Sequence, residues 1–208
     1  MSDEERFNGS PAADASPKAG DPLELEINGE KAIFRYCPPG TFLMGSPEDE
    51  RNRYDQEPEK IEAILCNGVR LDDEPQHEVT LSRGFWLLET PVSEKLWRAT
   101  GRPLYDSYAD GHLPNCPVTS VRWVDCAVFI DELNASGMAP SGMKFDFPTE
   151  AEWEYACRAG TLTAFNVGEE LTEDDANFQN NRGPSPVRSC PPNAWGFYDM
   201  HGNVAERR

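Results

Sequence analysis

The chain has little positive charge and no long apolar run, and both shortages narrow what it does. Nineteen Lys and Arg stand against thirty-seven Asp and Glu, a formal charge of −18 and a sequence pI near 4.5. Such a field repels phosphate backbones and anionic lipid, so nucleic acid and membrane surfaces are excluded as partners. No apolar stretch approaches the roughly 20 residues of a membrane helix. The first residues, Met1-Ser2-Asp3-Glu4-Glu5-Arg6, are acidic with no apolar segment behind them, unlike a secretory leader. A cytoplasmic location is the resulting expectation. There are only three histidines, His77, His112 and His201, at no metal-ligand spacing. The six cysteines, at 37, 66, 116, 126, 157 and 190, form no C-x-x-C pair, which argues against a zinc or dithiol redox motif. Ser/His/Asp and phosphate-loop motifs are lacking too.

What is there is one domain's worth of chain with a biased start. Residues 1–21 are Ser, Pro, Ala, Asp and Gly with little else, and read as a disordered acidic tail. A strand pair is expected from Leu25 to Tyr36 about an Asn28-Gly29 turn. Another strand starts at Phe42. Val79 to Leu88 reads as one strand, bent or bulged near Gly84. Ser93 is placed to cap a helix carrying Leu96 and Trp97. Cys126, Phe129, Ile130 and Leu133 fall at helical spacing, predicting a helix over 123–134. Pro148-Thr149-Glu150-Ala151-Glu152-Trp153-Glu154-Tyr155-Ala156-Cys157 contains the strongest local signal. Thr149 and Glu152 form a capping box, Trp153, Ala156 and Cys157 share the face to be buried, and Gly160 is placed to stop the helix. Acidic clusters at 48–50, 72–74 and 169–175 read as solvated loops.

The wording of that helix resembles the formylglycine-generating enzyme family, also called sulfatase-modifying factors, in which P-T-E-A-E-W-E-Y-A is a hallmark. Further strings follow in the family's order. They include Phe42-Leu43-Met44-Gly45-Ser46, His77-Glu78-Val79-Thr80-Leu81 with Gly84-Phe85-Trp86-Leu87, and Glu89-Thr90-Pro91-Val92-Ser93 with Trp97. Pro117 to Ala127 and Pro192 to Val204 complete the set. The resemblance covers roughly residues 33 to 206. It implies an α+β fold, the formylglycine-generating-enzyme-type variant of the C-type lectin fold, loop-rich and here missing its C-terminal part. It also implies a domain over 22–208 and marks about 52–70 as an insertion, read as a surface loop.

The resemblance implies chemistry as well. Family activity is the copper-dependent, oxygen-using oxidation of a sulfatase cysteine to formylglycine, and the partner would be a sulfatase polypeptide. Copper is held by two cysteines four residues apart, a soft thiolate set. No pair here has that spacing; Cys116 and Cys126, ten apart, come nearest in sequence. The family's G-N-V-W-E-W reads Gly202-Asn203-Val204-Ala205-Glu206-Arg207 here. The expectation is therefore an inactive chain unless a further C-terminal part supplies the copper site. Two alternatives remain: a non-catalytic lectin-like module binding an unknown protein or ligand, or a remnant reading frame. A structural calcium is implied at Asp199, the carbonyls of Gly202 and Val204, and Glu206, oxygen donors of the kind calcium takes. A weaker second set is Asn177 by its side chain and Phe178 by its carbonyl. His77 and His201 are expected to be structural or exposed. Asp146 stands where the family has Arg, reversing a charge.

Overall fold

Asn28 and Gly29 both sit at positive φ, 48° and 88°, which is the geometry of a two-residue hairpin turn. They join β1 (Pro22–Ile27) to β2 (Glu30–Cys37) as antiparallel neighbours, Ile27 facing Glu30. The computed structural model describes residues 16–48, 75–104, 113–178 and 183–207. The expected insertion at 52–70, His112, Cys66 and the first fifteen residues lie outside them.

The hairpin is longer than expected, and the chain before it is packed. Gly20 donates to the Tyr36 carbonyl (2.9 Å), Tyr36 donates to Asp21 (3.0 Å), and Arg35 Nη1 donates to the Gly20 carbonyl (3.1 Å). A Cβ at Gly20 would come within 2.9 Å of the Trp195 carbonyl. Gly20 and Asp21, at the end of the expected tail, are thus bonded to β2.

The single bent strand expected over 79–88 is two strands in two sheets. β3 (Gly40–Met44) pairs with β4 (His77–Leu81), while β5 (Phe85–Leu88) adds to the other edge of β2. The sheets are β1-β2-β5 and β3-β4. Gly84 lies at the break because a Cβ there would stand 2.1 Å from the Tyr36 hydroxyl oxygen. That contact joins residues far apart in sequence, so local periodicity does not show it.

Strand alternation sends side chains to both faces of the three-stranded sheet. Ile27, Ala32, Phe34 and Leu88 face one core with α1 (Glu94–Ala99) and α2 (Trp123–Ala135). Within it Trp97 stacks on Phe129 at 5.0 Å. Cys37, Phe85 and Leu87 face a second core with α3 (Glu150–Arg158), Phe197 and Met200.

The helices start where the sequence places them. Leu96 N–H donates to Ser93 Oγ (3.3 Å). Asp125 accepts from the Arg122 main chain (3.0 Å) and guanidinium (2.9 Å), closing the first turn of α2. Glu152 N–H donates to Thr149 Oγ1 (3.2 Å) and Thr149 N–H to Glu152 (2.8 Å), a complete capping box; each cap contributes about 1 kcal/mol. Ala156 and Cys157 are buried as expected, but Trp153 is half-buried and Tyr155 takes the deeper place. The stop begins one residue before Gly160, with Ala159 already left-handed at φ 47°. Cys126 is half-buried rather than a full core thiol. No described helix is long and apolar enough to cross a membrane.

Candidate functional site

The segment 185–206 has few backbone ladder partners, so side chains hold it. Asn193 is buried and uses its whole amide. Its oxygen accepts from Trp195 (3.0 Å) and Phe197 (3.1 Å) N–H, and its nitrogen donates to the Ala156 (2.8 Å) and Cys157 (3.1 Å) carbonyls. That satisfies two carbonyls at the C-terminal end of α3, which a helix leaves without internal partners.

A buried ion triad lies next to it. Glu89, 2% exposed, follows β5 and accepts from Arg35 Nε and Nη2, both at 2.7 Å. Its other oxygen meets Arg188 Nη2. The Glu89 carbonyl accepts from Tyr198 N–H (2.8 Å), and the Arg188 guanidinium lies over the Tyr198 ring. Arg188 thereby fixes its own main chain, whose N–H donates to Asp199 Oδ2 (2.9 Å). Burial pushes the Asp199 carboxyl above its ordinary range, opposed by the hydrogen bonds from Arg188 and Asn203.

Three of the four residues of the implied calcium set meet here. Asp199, Val204 and Glu206 line one cavity of about 180 Å³, with Trp153, Met200 and Ala205. Gly202 lies apart, against Asn177, where a Cβ would stand 2.6 Å from the Asn177 carbonyl oxygen. The Gly202 carbonyl accepts from Val204 N–H (3.0 Å). Asp199 (φ 60°) and Asn203 (φ 73°) are both left-handed, which lets the turn fold back so tightly.

Asn177, of the second implied set, is tied to neighbouring loops. The Asn177 amide nitrogen lies near the Gly183 carbonyl (3.3 Å), Ser185 Oγ (3.4 Å) and Asn203 Oδ1 (3.4 Å), and its carbonyl accepts from Asn203 N–H (2.8 Å). Asn203 in turn exchanges bonds with Ser185, accepting from its N–H (2.9 Å) and donating to its carbonyl (3.1 Å). Asn177 is a tie between two loops. The Phe178 side chain is exposed.

His201 has a structural role. Its Nε2 accepts from Asn166 N–H (3.0 Å), its ring meets Phe165 edge-on at 5.3 Å, and Cys157 Sγ lies 3.8 Å away. Burial and the Arg158 charge push its basicity down, keeping the imidazole neutral. His77 is exposed and bonds the Pro75 carbonyl (2.9 Å). Asp146 pairs with Lys144 on the surface, which holds its carboxyl below the usual range.

Copper does not fit the cysteines among the described residues. Cys37 is fully buried in β2, and Cys116 and Cys190 lie in separate loops. Burial raises the thiols of Cys37, Cys116, Cys126 and Cys190, the reverse of what a thiolate ligand needs. Among the described residues no group of three or more His, Cys, Asp or Glu is placed to hold a metal ion. The calcium set is of another kind, two carboxylates with main-chain oxygens.

Arg35 and Arg188 were not among the residues singled out from sequence, and Glu89 and Asn193 stood there only inside longer strings. Glu89 carried a usable signal, as the one charge closing the apolar run Phe85-Trp86-Leu87-Leu88.

The architecture is a loop-rich α+β domain with two small antiparallel sheets and a turn-rich, polar-tied C-terminal segment. Residues 30–207 match the sulfatase-modifying factor enzyme 1-like domain, and the chain belongs to that family. It is 30% identical over 162 residues to the formylglycine-generating enzyme of Bos taurus, covering 70% of this chain and 38% of that protein. It is 33% identical over 182 residues to the serine/threonine-protein kinase pkn1 of Chlamydia caviae, covering 80% of this chain and 26% of that protein. The chain thus spans well under half the length of either. The structure of PvdO from Pseudomonas aeruginosa superposes with a TM-score of 0.68 at 27% identity, covering 91% of this chain and 74% of that one. Treponema denticola variable protein 1 shares the fold, with a TM-score of 0.63 at 21% identity.

Proposed function

We propose that this chain is a calcium-stabilised sulfatase-modifying-factor-like domain that does not by itself oxidise a sulfatase cysteine. The carrying observation is the cysteine set: no two are four apart, and four of those described are pushed toward the protonated thiol. A peptide containing C-x-P-x-R, incubated with the purified chain, copper(I) and oxygen, is expected to show no formylglycine by mass spectrometry. Turnover above a protein-free control would overturn the reading.

Asp199, Val204 and Glu206 would hold the calcium, which supplies charge neutralisation for a half-buried carboxylate and no redox chemistry. At calcium one hundred times its Kd the fold gains about 2.7 kcal/mol, or roughly 5–10 °C in Tm for a domain of this size. Asp199→Asn should abolish the calcium-dependent part of the shift. Because the Asp199 carboxyl is raised, calcium must displace a proton as pH falls toward that raised value. Affinity therefore drops on acidification and is highest above it. A Tm insensitive to calcium, in the unaltered chain, counts against the site.

Relatives named as serine/threonine-protein kinases also match this domain, which leaves room for a second reading, a non-catalytic lectin-like binding module. In that reading the partner is an unknown protein or ligand.

A further inference from the structure

Asn-Gly is the dipeptide most open to spontaneous deamidation, because glycine has no side chain to shield the attacking nitrogen or restrict its backbone. The chain carries it at Asn8-Gly9, Asn28-Gly29 and Asn67-Gly68, and the first and third lie outside the described residues. Asn28 and Gly29 are exposed at the tip of the β1-β2 hairpin. The Gly29 N–H meets no main-chain acceptor among the described residues. Sequence and exposure together mark this pair as reactive.

The backbone of the turn opposes the reaction. In deamidation the Gly29 nitrogen attacks Asn28 Cγ, the Cγ–Nδ2 bond breaks, and ammonia leaves with the proton from Gly29. Water then opens the cyclic imide at either carbonyl, leaving aspartate or isoaspartate at position 28. Ring closure needs the Gly29 nitrogen to eclipse the Asn28 side chain. A two-residue turn between paired Ile27 and Glu30, with φ of 48° and 88°, is type I′. Its first central residue has ψ of about +30°, which points that nitrogen away from the side chain. The turn is also braced. Asn28 Nδ2, the leaving group, donates to the Ala99 carbonyl at the end of α1 (2.7 Å). Glu30 pairs with Lys95 on the same helix at 3.7 Å. Ile27, 1% exposed, is held in the core with Leu96 and Trp97, so the turn cannot unwind without drawing on that packing.

We propose that Asn28 is a deamidation site closed by the native turn, so that its modification marks chains that have been unfolded. The mark also hinders refolding. Isoaspartate adds a methylene to the main chain of a turn that joins its strands through two residues. Either product replaces the donor to the Ala99 carbonyl with a carboxylate, which only accepts, so two acceptors face each other there. This does not depend on calcium or on the absence of oxidase activity.

The test incubates the full chain in mildly alkaline native buffer and in the same buffer with enough urea to unfold it. The free peptide acetyl-Glu-Ile-Asn-Gly-Glu-Lys-amide, the sequence around Asn28, sets the unconstrained rate in both solutions. Peptide mapping by mass spectrometry follows the fragment carrying Asn28, separately from those carrying Asn8 and Asn67. The native chain is expected to react at Asn28 at least about tenfold more slowly than the peptide, since only the opened turn can close the ring. The unfolded chain keeps pace with the peptide. Once urea is removed, the fraction deamidated at Asn28 melts below the unmodified fraction. Native deamidation at the peptide's rate, or an unfolded chain as slow as the native one, overturns the proposal. A deamidated fraction that melts with the unmodified one overturns its refolding consequence.

Discussion

Replacing Glu89 with alanine is expected to destabilise the fold by roughly 3–5 kcal/mol, the scale for removing one partner from a buried ion pair. Two guanidinium groups converge on that one carboxylate, and it is 2% exposed. Arg35, half-buried in the central strand, would keep its charge with no counter-ion in place. Arg188→Ala should cost much less, because its side chain is 45% exposed and water takes over its solvation. Urea unfolding of the two variants measures the difference. A Glu89→Ala midpoint no lower than that of Arg188→Ala would show that the triad is not the anchor. The same variant should weaken calcium binding, since Arg188 holds Asp199 through its main-chain N–H.

Trp97→Ala should cost a similar amount, about 3–5 kcal/mol for a large aromatic removed from a core. Trp97 is 1% exposed and stacks on Phe129. It lies under the Arg102 guanidinium at 5.1 Å, and donates from Nε1 to the Pro103 carbonyl (3.0 Å). Trp97→Phe keeps most of the ring stack and gives up the Pro103 bond, a loss nearer 1 kcal/mol. Thermal melts of both variants separate packing from hydrogen bonding. Equal losses would mean that the indole N–H, and not the ring, carries the contribution. Domains of this size are stable by about 5–15 kcal/mol, so the alanine variant approaches the unfolding limit.

These two anchors differ in how visible they are in the sequence. Trp97 stands one helical turn after the Ser93 cap, and helix starts are local events, readable from four residues. The Asn28-Gly29 turn, the Thr149–Glu152 box and the 126/129/130/133 stripe are legible for the same reason. The division of 77–88 between two sheets is not, because it depends on Gly84 meeting Tyr36 across the fold. Nor is the Glu89 triad, whose members come from positions 35, 89 and 188. In the candidate site, Asp199, Val204 and Glu206 line one cavity, and they stand close together in the sequence. Asn177, of the second implied set, has its amide nitrogen near Gly183, Ser185 and Asn203, neighbours made by tertiary contacts alone.

The second core joins Cys37 near the start of the chain, Tyr155 to Cys157 well past its middle, and Phe197 and Met200 close to its end. During synthesis the first hairpin can form as soon as it leaves the ribosome, because its partners are adjacent. The far side of the same sheet stays open until residues 155–200 have been made, with Cys37 and Phe85 uncovered over that stretch. Chain growth at roughly 5–20 residues per second makes that interval last for several seconds or longer. Over that interval the nascent protein carries a bare apolar face, a stage at which a ribosome-associated chaperone has something to hold.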